Sequence, residues 1–157
     1  MRIIGIDPGT GILGFGVIDV DVGQKLRYVD AGVIRTPAKQ PDDNRLLLIY
    51  DELKQIIKET QPTIMSVEKL FFIRNITTAI SVSQARGVVL LLGKQHHMDL
   101  HEFTPLQIKQ AVTGYGKADK KQIQEMVKVI LNLPQIPRPD DAADALATAI
   151  CCSMVLN

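Results

Sequence analysis

The beginning of the chain alternates apolar runs with turn residues, a pattern that predicts three β-strands. The first run covers residues 2–7 and ends where Pro8 and Gly9 turn the chain sharply. Alternating apolar positions over residues 13–19 predict a second strand that runs back beside the first. Residues 25–36 follow a polar turn and predict the third strand. Because short loops join all three strands, we expect an antiparallel meander.

The rest of the chain alternates helical and strand patterns. Helical spacing predicts five helices, over residues 46–60, 78–95, 104–112, 119–131 and 140–155. Short apolar runs predict two further strands, over residues 63–67 and 99–103. Thr104 is placed to cap the third helix, with Pro105 at its first position. This order predicts an α/β fold in which helices flank a five-stranded mixed sheet, with three antiparallel strands and then parallel ones, in a single domain of residues 1–157.

Composition narrows the class of protein without identifying a partner. The chain is 46% hydrophobic but only 4% aromatic, so we expect a core of Ile, Leu, Val and Ala. Its net charge of +1 means that nucleic-acid binding would need a local basic surface. The adjacent Cys151 and Cys152 are expected to be buried reduced thiols. With no signal-peptide pattern and no unbroken run of about 18 apolar residues, we expect a cytoplasmic protein with no membrane association.

Asp7 and Glu68 are candidate catalytic acids because each ends a predicted apolar strand. A buried carboxylate is costly unless something pairs with it, so an acid in this position requires a cation or a reacting group. One such acid is usually a solvated loop residue. Two acids at the ends of two strands of one sheet are harder to explain in that way. If the strands are neighbours, we expect both carboxylates to converge on one edge of the sheet.

Asp141 and Asp144 lie three residues apart at the start of the last predicted helix. That spacing places both on one helical face, roughly 5–6 Å apart at Cβ. Asp140 is predicted to cap the helix, while capping and catalysis remain open alternatives for Asp141. Asp144 has no positive charge on its own helical face. Together with Asp7 and Glu68, these acids need a shared cation in order to coexist.

The cation that such ligands prefer is Mg²⁺ or Mn²⁺, because hard oxygen donors without Cys or clustered His do not favour zinc. Two such ions about 3.5–4 Å apart would activate a water and stabilise the leaving oxygen of a phosphodiester. The sequence therefore predicts metal-dependent hydrolysis of a phosphate ester, a reaction that suits nucleic acid.

Basic and aromatic residues near these acids are candidates for nucleic-acid binding. The stretch before the last helix contains the lysines Lys109, Lys117, Lys120 and Lys121. Such a run is usually a solvated helix face, but here it could hold the phosphates beside the scissile one. Phe71, Phe72 and Arg74 closely follow Glu68. Aromatic residues there could stack on unpaired bases, while a core or dimer contact explains Phe72 equally well.

The glycines of residues 9–14 formally match the dinucleotide-binding fingerprint. That motif requires a helix after the strand, whereas this chain continues as a strand, so we reject the Rossmann interpretation. The same residues resemble the phosphate-binding hairpin of the actin and sugar-kinase fold. That fold needs a second, duplicated domain, which 157 residues cannot hold.

Five segments, taken in order, strongly resemble the RuvC crossover junction endodeoxyribonucleases. They are IGIDPGT (4–10), VEKLFF (67–72), SQARGV (83–88), QIKQAVTGYGKADK (107–120) and DAADALA (141–147). No segment is specific alone, but jointly they extend the resemblance over nearly the whole chain. It implies an RNase H-like fold and a homodimer whose two sites cut opposing strands of a four-way Holliday junction. The nicks would be symmetric and would serve recombination and DNA repair.

The same resemblance implies roles for individual residues. The family's motif implies that the metal ligands and catalytic acids are Asp7, Glu68, Asp141 and Asp144. Lys109 and Lys120 match basic residues near the active site, with Lys120 as a catalytic group, and Phe71 matches an aromatic that stacks near the junction centre. Two Mg²⁺ ions per active site are expected, with Mn²⁺ as a substitute. The expected partners are branch-migration proteins of the RuvA and RuvB type.

Two other functions remain open from the sequence. The chain could be a DNA-structure-binding protein that keeps the fold without the activity, although the presence of all four acids argues against this. It could also be an RNase H-like nuclease that acts on RNA or on an RNA–DNA hybrid.

Overall fold

The computed structural model describes residues 1–69 and 76–156, and its elements follow the predicted order. The strands are β1 (Arg2–Asp7), β2 (Ile12–Val20), β3 (Leu26–Arg35), β4 (Ile64–Glu68) and β5 (Asp99–Phe103). The helices are α1 (Asp42–Thr60), α2 (Ile76–Gln95), α3 (Pro105–Thr113), α4 (Lys120–Ile130) and α5 (Asp140–Val155).

The five strands form one mixed sheet in the order β3-β2-β1-β4-β5. β1 pairs antiparallel with β2, and β2 pairs antiparallel with β3. β1, β4 and β5 are parallel, which confirms the predicted arrangement. Because β1 and β4 are parallel neighbours, their carboxyl ends lie at the same edge of the sheet. Asp7 and Glu68 occupy those two ends.

The sheet separates two hydrophobic cores, because successive side chains of a strand point to opposite faces. Ile3 belongs to the core that α5 covers, and the adjacent Ile4 belongs to the core that α1 and α2 cover. Both are fully buried. Cys151 and Cys152 are buried free thiols, as predicted, and burial raises the pKa of Cys151 to about 12.

Helix α5 lies unusually close to the sheet because small residues meet on both sides. A β-carbon on Gly5 would overlap the carbonyl oxygen of Ala145, and one on Gly14 would overlap the carbonyl oxygen of Asp141. Such close approach is possible only without a side chain at these strand positions. The first turn of α5 is thereby held directly against β2, beside the end of β1.

The start of one helix differs from the predicted one because its first residues are polar and do not contribute to the apolar periodicity. α1 begins at Asp42, not at residue 46, and its first turn contains Asp42 and Asp43, which the helix dipole favours. Thr104 caps α3 as predicted, and Gln107 completes a reciprocal capping box that the sequence analysis did not name. The prediction that Asp140 caps α5 is wrong. Pro139 occupies the capping position and provides no side-chain cap. The Asp140 carboxylate instead forms ion pairs with Lys120 and Arg138.

Helix α2 is the one helix in the described part of the chain that is long and apolar enough to cross a membrane, judged by length and composition alone. Its mean hydropathy is high enough for a membrane span although Arg86 and several polar residues interrupt the apolar run. One side packs Val89 and Leu92 into the core. The other side leaves Ile80 and Leu91 more than half exposed.

Candidate active site

Asp7 stands at the centre of the acidic cluster at the edge of the sheet. Its carboxyl lies at the end of the otherwise buried strand β1. Burial, and after it the charges of Glu68, Asp144 and Asp141, raise the pKa of Asp7 to about 8, while the charge of Lys120 opposes them. Without a bound cation, the Asp7 carboxyl therefore carries a proton at neutral pH.

Glu68 and Asp144 belong to the same electrostatic cluster. Burial raises the pKa of Glu68, and the carboxylate of Asp144 adds to the effect. Burial also raises the pKa of Asp144, against the hydrogen bond and charge of Lys120. The predicted convergence is thus observed: β1, β4 and α5 bring these carboxylates into mutual repulsion. Asp141 lies in the first turn of α5 and adds its charge to that felt by Asp7.

Lys120 supplies the positive charge that Asp144 lacks on its own helix. It is the first residue of α4, directly after the capping residue Asp119. Its Nζ lies 3.0 Å from Oδ2 of Asp144 and 3.6 Å from Oδ2 of Asp140. Burial opposes the ammonium, but the hydrogen bond and charge of Asp144 outweigh it and raise the pKa of Lys120. The ammonium therefore bridges two acids one helical turn apart.

The donor set suits a hard divalent cation. All four predicted ligands are carboxylates, and a shared cation would relieve the repulsion that raises the pKa values of Asp7 and Glu68. Among residues 1–69 and 76–156, no group of three or more His, Cys, Asp or Glu side chains is already arranged to hold a metal ion. The Lys120 ammonium balances part of the negative charge at Asp144.

An open pocket adjoins the acids between β4, α3, α4 and α5. Its lining includes Glu68, Lys109, Lys120 and Asp144. Two of the four predicted lysines, Lys109 and Lys120, therefore lie at the acids. Lys121 lines a separate groove with the exposed Tyr115, and Lys117 is exposed in the turn between α3 and α4. Phe71, Phe72 and Arg74 lie outside the described residues, so the predictions for them stand as made.

Sequence reasoning missed two arginines on the other side of the acids. Arg35 and Arg138 line a shallow groove together with Ile12, Pro139, Asp140 and Asp141. No motif joins residues so far apart in the chain. The pairing of Arg35 with Ile12 at the start of β2 brings the first arginine to this edge of the sheet. Only the register of the predicted meander could have indicated it.

A mixed sheet in this order, with acids at the ends of β1 and β4 and on the last helix, defines an RNase H-like nuclease. The family model for "Crossover junction endodeoxyribonuclease RuvC" matches residues 3–152. The chain therefore belongs to the RuvC family, which confirms the resemblance seen in the sequence motifs.

Individual relatives agree with this assignment. The chain is 57% identical over 157 residues to a "Crossover junction endodeoxyribonuclease RuvC" of Desulfitobacterium hafniense, covering 100% of this chain and 94% of the relative. It is 52% identical over 151 residues to the protein of the same name from Thermomicrobium roseum, covering 96% and 91%. The structure "T. thermophilus RuvC in complex with Holliday junction substrate" matches with a TM-score of 0.94 and 34% identity, covering 99% of this chain and 94% of that one.

Proposed function

We propose that this chain is an endonuclease that resolves four-way DNA junctions by metal-assisted hydrolysis of phosphodiester bonds. The observation that supports this function most directly is the convergence of Asp7, Glu68 and Asp144 at one edge of the sheet. Burial and repulsion between carboxylates raise their pKa values there. Family membership supports the substrate, since a relative with 34% identity was solved with a Holliday junction. Resolution of such junctions belongs to recombination and DNA repair.

The four acids would hold the cation, with Asp7 placed between Glu68 and the two acids of α5. Bound Mg²⁺, with Mn²⁺ as a substitute and two ions per site, would supply activation of the attacking water and stabilisation of the leaving oxygen. Asp7 and Glu68 bind and orient from rigid strand ends, and Asp141 and Asp144 do so from α5. Rigid supports of this kind keep reacting groups in a productive geometry.

The lysines of the site bind the phosphates. Lys109 and Lys120 line the pocket beside Glu68 and Asp144, where their ammonium groups can contact the oxygens of the scissile phosphate. In our proposal Lys120 is catalytic because it alone of the four lysines forms an ion pair with an acid of the cluster, within the described residues. Lys117 and Lys121 contact phosphates further along the strand. Phe71 and Arg74, which follow Glu68 in the chain, contact bases and backbone near the junction centre.

We also propose a homodimer that forms through the outward side of α2. Ile76, Ile80 and Leu91 are 76%, 57% and 54% exposed, and Leu47 of α1 is 58% exposed. Large apolar side chains exposed on one side of a helix are typical of an interaction site. Paired nicks in opposing strands require two active sites, which a two-fold symmetric dimer supplies. A second copy of the chain would cover the apolar side of α2, so no membrane is needed to explain why that side is exposed in the single chain.

The dimer proposal is tested by Ile80→Asp, with Val129→Asp as the matched control. Val129 is 66% exposed but lies on α4, away from α2. Sedimentation should show a monomer for Ile80→Asp and a dimer for the control. The monomer should nick single strands without pairing the two nicks. A dimeric Ile80→Asp variant would contradict the proposed interface.

Finer aspects of the cellular role follow from the same proposal. We expect the protein to act in the cytoplasm and to work with branch-migration proteins of the RuvA and RuvB type. A pull-down of purified proteins on an immobilised four-way junction tests that partnership directly.

The deciding experiment compares cleavage of a four-way junction, a linear duplex and an RNA–DNA hybrid, with Mg²⁺, with Mn²⁺ and with EDTA. We expect paired nicks in the junction only, in either metal and not in EDTA. Absence of nicks at every metal concentration, with junction binding intact, would instead identify a DNA-structure-binding protein. Preferential cleavage of the hybrid would identify a different nuclease of this fold.

A further inference from the structure

The edge of the sheet carries positive charge on both sides of the acids. β3 is antiparallel to β2, which is antiparallel to β1, so β3 and β1 end at the same edge. Arg35 is the last residue of β3 and lies two residues beyond the level of Asp7 in the register. With about 4.8 Å between strands and 3.4 Å per residue, their Cα atoms lie roughly 12 Å apart. Lys109 and Lys120 lie on the other side of Asp144, in the pocket that Glu68 also lines.

The groove at Arg35 has the chemical features of a phosphate site. Ile12 and Pro139 form apolar parts of its lining, and the Arg138 side chain is 69% exposed. Nη1 of Arg138 lies 2.6 Å from Oδ1 of Asp140, which orients the guanidinium and leaves its other donors available. Arg35 is exposed and forms no ion pair with any acid in the described part of the chain.

The acids of the groove do not cancel this charge. Asp140 is already paired with both Arg138 and Lys120. Asp141 belongs to the cluster that a bound cation would neutralise. Arg35 therefore remains an uncompensated cation, and guanidinium groups match phosphate oxygens in a bidentate geometry.

We propose that Arg35 and Arg138 form a second phosphate-binding site for the nucleic-acid strand, across the acids from Lys109 and Lys120. This inference rests on the proposed function, because it assumes that the scissile phosphate lies at Asp7 and Glu68. A strand held on both sides of the scissile bond cannot pivot about a single anchor. The second site thus fixes the position of the bond relative to the carboxylates.

The test measures binding of a fluorescent four-way junction by anisotropy at a fixed Ca²⁺ concentration, so that a divalent cation can occupy the carboxylates, over a series of salt concentrations. The variants are Arg35→Gln, Arg138→Gln and the double variant. Each lost phosphate contact should reduce the slope of log K against log [salt] by about 0.9, so the double variant should lose about 1.8. Affinity at low salt should fall several-fold for each substitution. Arg35→Lys should retain the slope and part of the affinity, because it keeps the charge but not the bidentate geometry.

Arg27→Gln is the matched control, since Arg27 is exposed on the same strand, eight residues away and near the opposite edge. It should leave affinity and slope unchanged, and thermal unfolding should confirm that all variants are folded. Wild-type slope and affinity in the double variant would overturn the second site while leaving the proposed function in place. An equal loss in Arg27→Gln would overturn it as well, because the effect would then reflect overall charge. A wild-type chain that does not bind the junction at all would overturn the proposed function together with this inference.

Discussion

Replacing Asp7 by Asn should stabilise the metal-free protein at alkaline pH while abolishing cleavage. Burial and the neighbouring carboxylates raise the pKa of Asp7 from 3.8 to about 8. Between these values the folded chain keeps a proton on Asp7 that the unfolded chain has released. Since the folded state binds more protons there, the free energy of unfolding falls as pH rises from about 4 to about 8. Asparagine does not titrate in this range, so the Asp7→Asn variant does not lose this part of its free energy of unfolding.

The magnitude follows from the size of the pKa change. Each tenfold change in proton affinity is worth about 1.4 kcal/mol, so a rise from 3.8 to about 8 sets a ceiling of about 6 kcal/mol. The site opens toward solvent, which screens part of this, and we expect Asp7→Asn to gain about 2–4 kcal/mol at pH 8.5. The gain should shrink steadily toward pH 4. A carboxylate buried among other acids thus costs stability that the neutral amide recovers.

Urea unfolding in EDTA between pH 2.5 and 8.5 measures the effect by linear extrapolation. Asp19→Asn is the control of opposite sign, because two hydrogen bonds from Arg2 hold the pKa of Asp19 below its usual range. That variant should lose about 1 kcal/mol at neutral pH and approach the wild type as pH falls below 4. Added Mg²⁺ should stabilise the wild type but not Asp7→Asn. An Asp7→Asn protein no more stable than the wild type at pH 8.5 would refute the reasoning, and loss of folding in that variant would make Asp7 structural.

Three further outcomes are expected. Lys120→Met should lower the single-turnover cleavage rate far more than junction affinity, and an unchanged rate would exclude a catalytic role. Gly14→Ala should cost at least 2–3 kcal/mol in urea unfolding, because its β-carbon would overlap the backbone of Asp141, and cleavage should fall with it. Glu102→Gln should cost about 1–3 kcal/mol by leaving the partly buried Arg86 without its ion pair, and full stability in that variant would show that the pair contributes nothing.

Periodicity and capping signals predicted the order of all ten elements, because each element carries its own local pattern. Thr104 followed by Pro105 is an example in which two residues suffice to locate a helix start. The early start of α1 was not predictable from periodicity, since Asp42 and Asp43 are both polar. There the helix dipole, and not an apolar face, favours the helical conformation.

The candidate site was predictable only where acids end strands or share a helical face. Whether Asp7 and Glu68 meet depends on β1 and β4 being neighbours, which is a property of the whole sheet. The pairing of Lys120 with Asp144 joins two helices that have no sequence relation to each other. The position of Arg35 depends on strand register in the same way. Contacts of this type are tertiary, so no local pattern reports them.

The close contact between α5 and the sheet has a consequence for the chain during its synthesis. The acids of the cluster come from β1, β4 and α5, and β1 and α5 lie nearly the whole chain apart. α5 is also the buried centre of one core, where Leu146 and Ile150 are fully enclosed. A ribosome-bound fragment without α5 lacks both the two helical acids and the packing that completes the fold. If the α5 acids hold the cation as proposed, we expect cleavage activity to begin only after translation has delivered this helix.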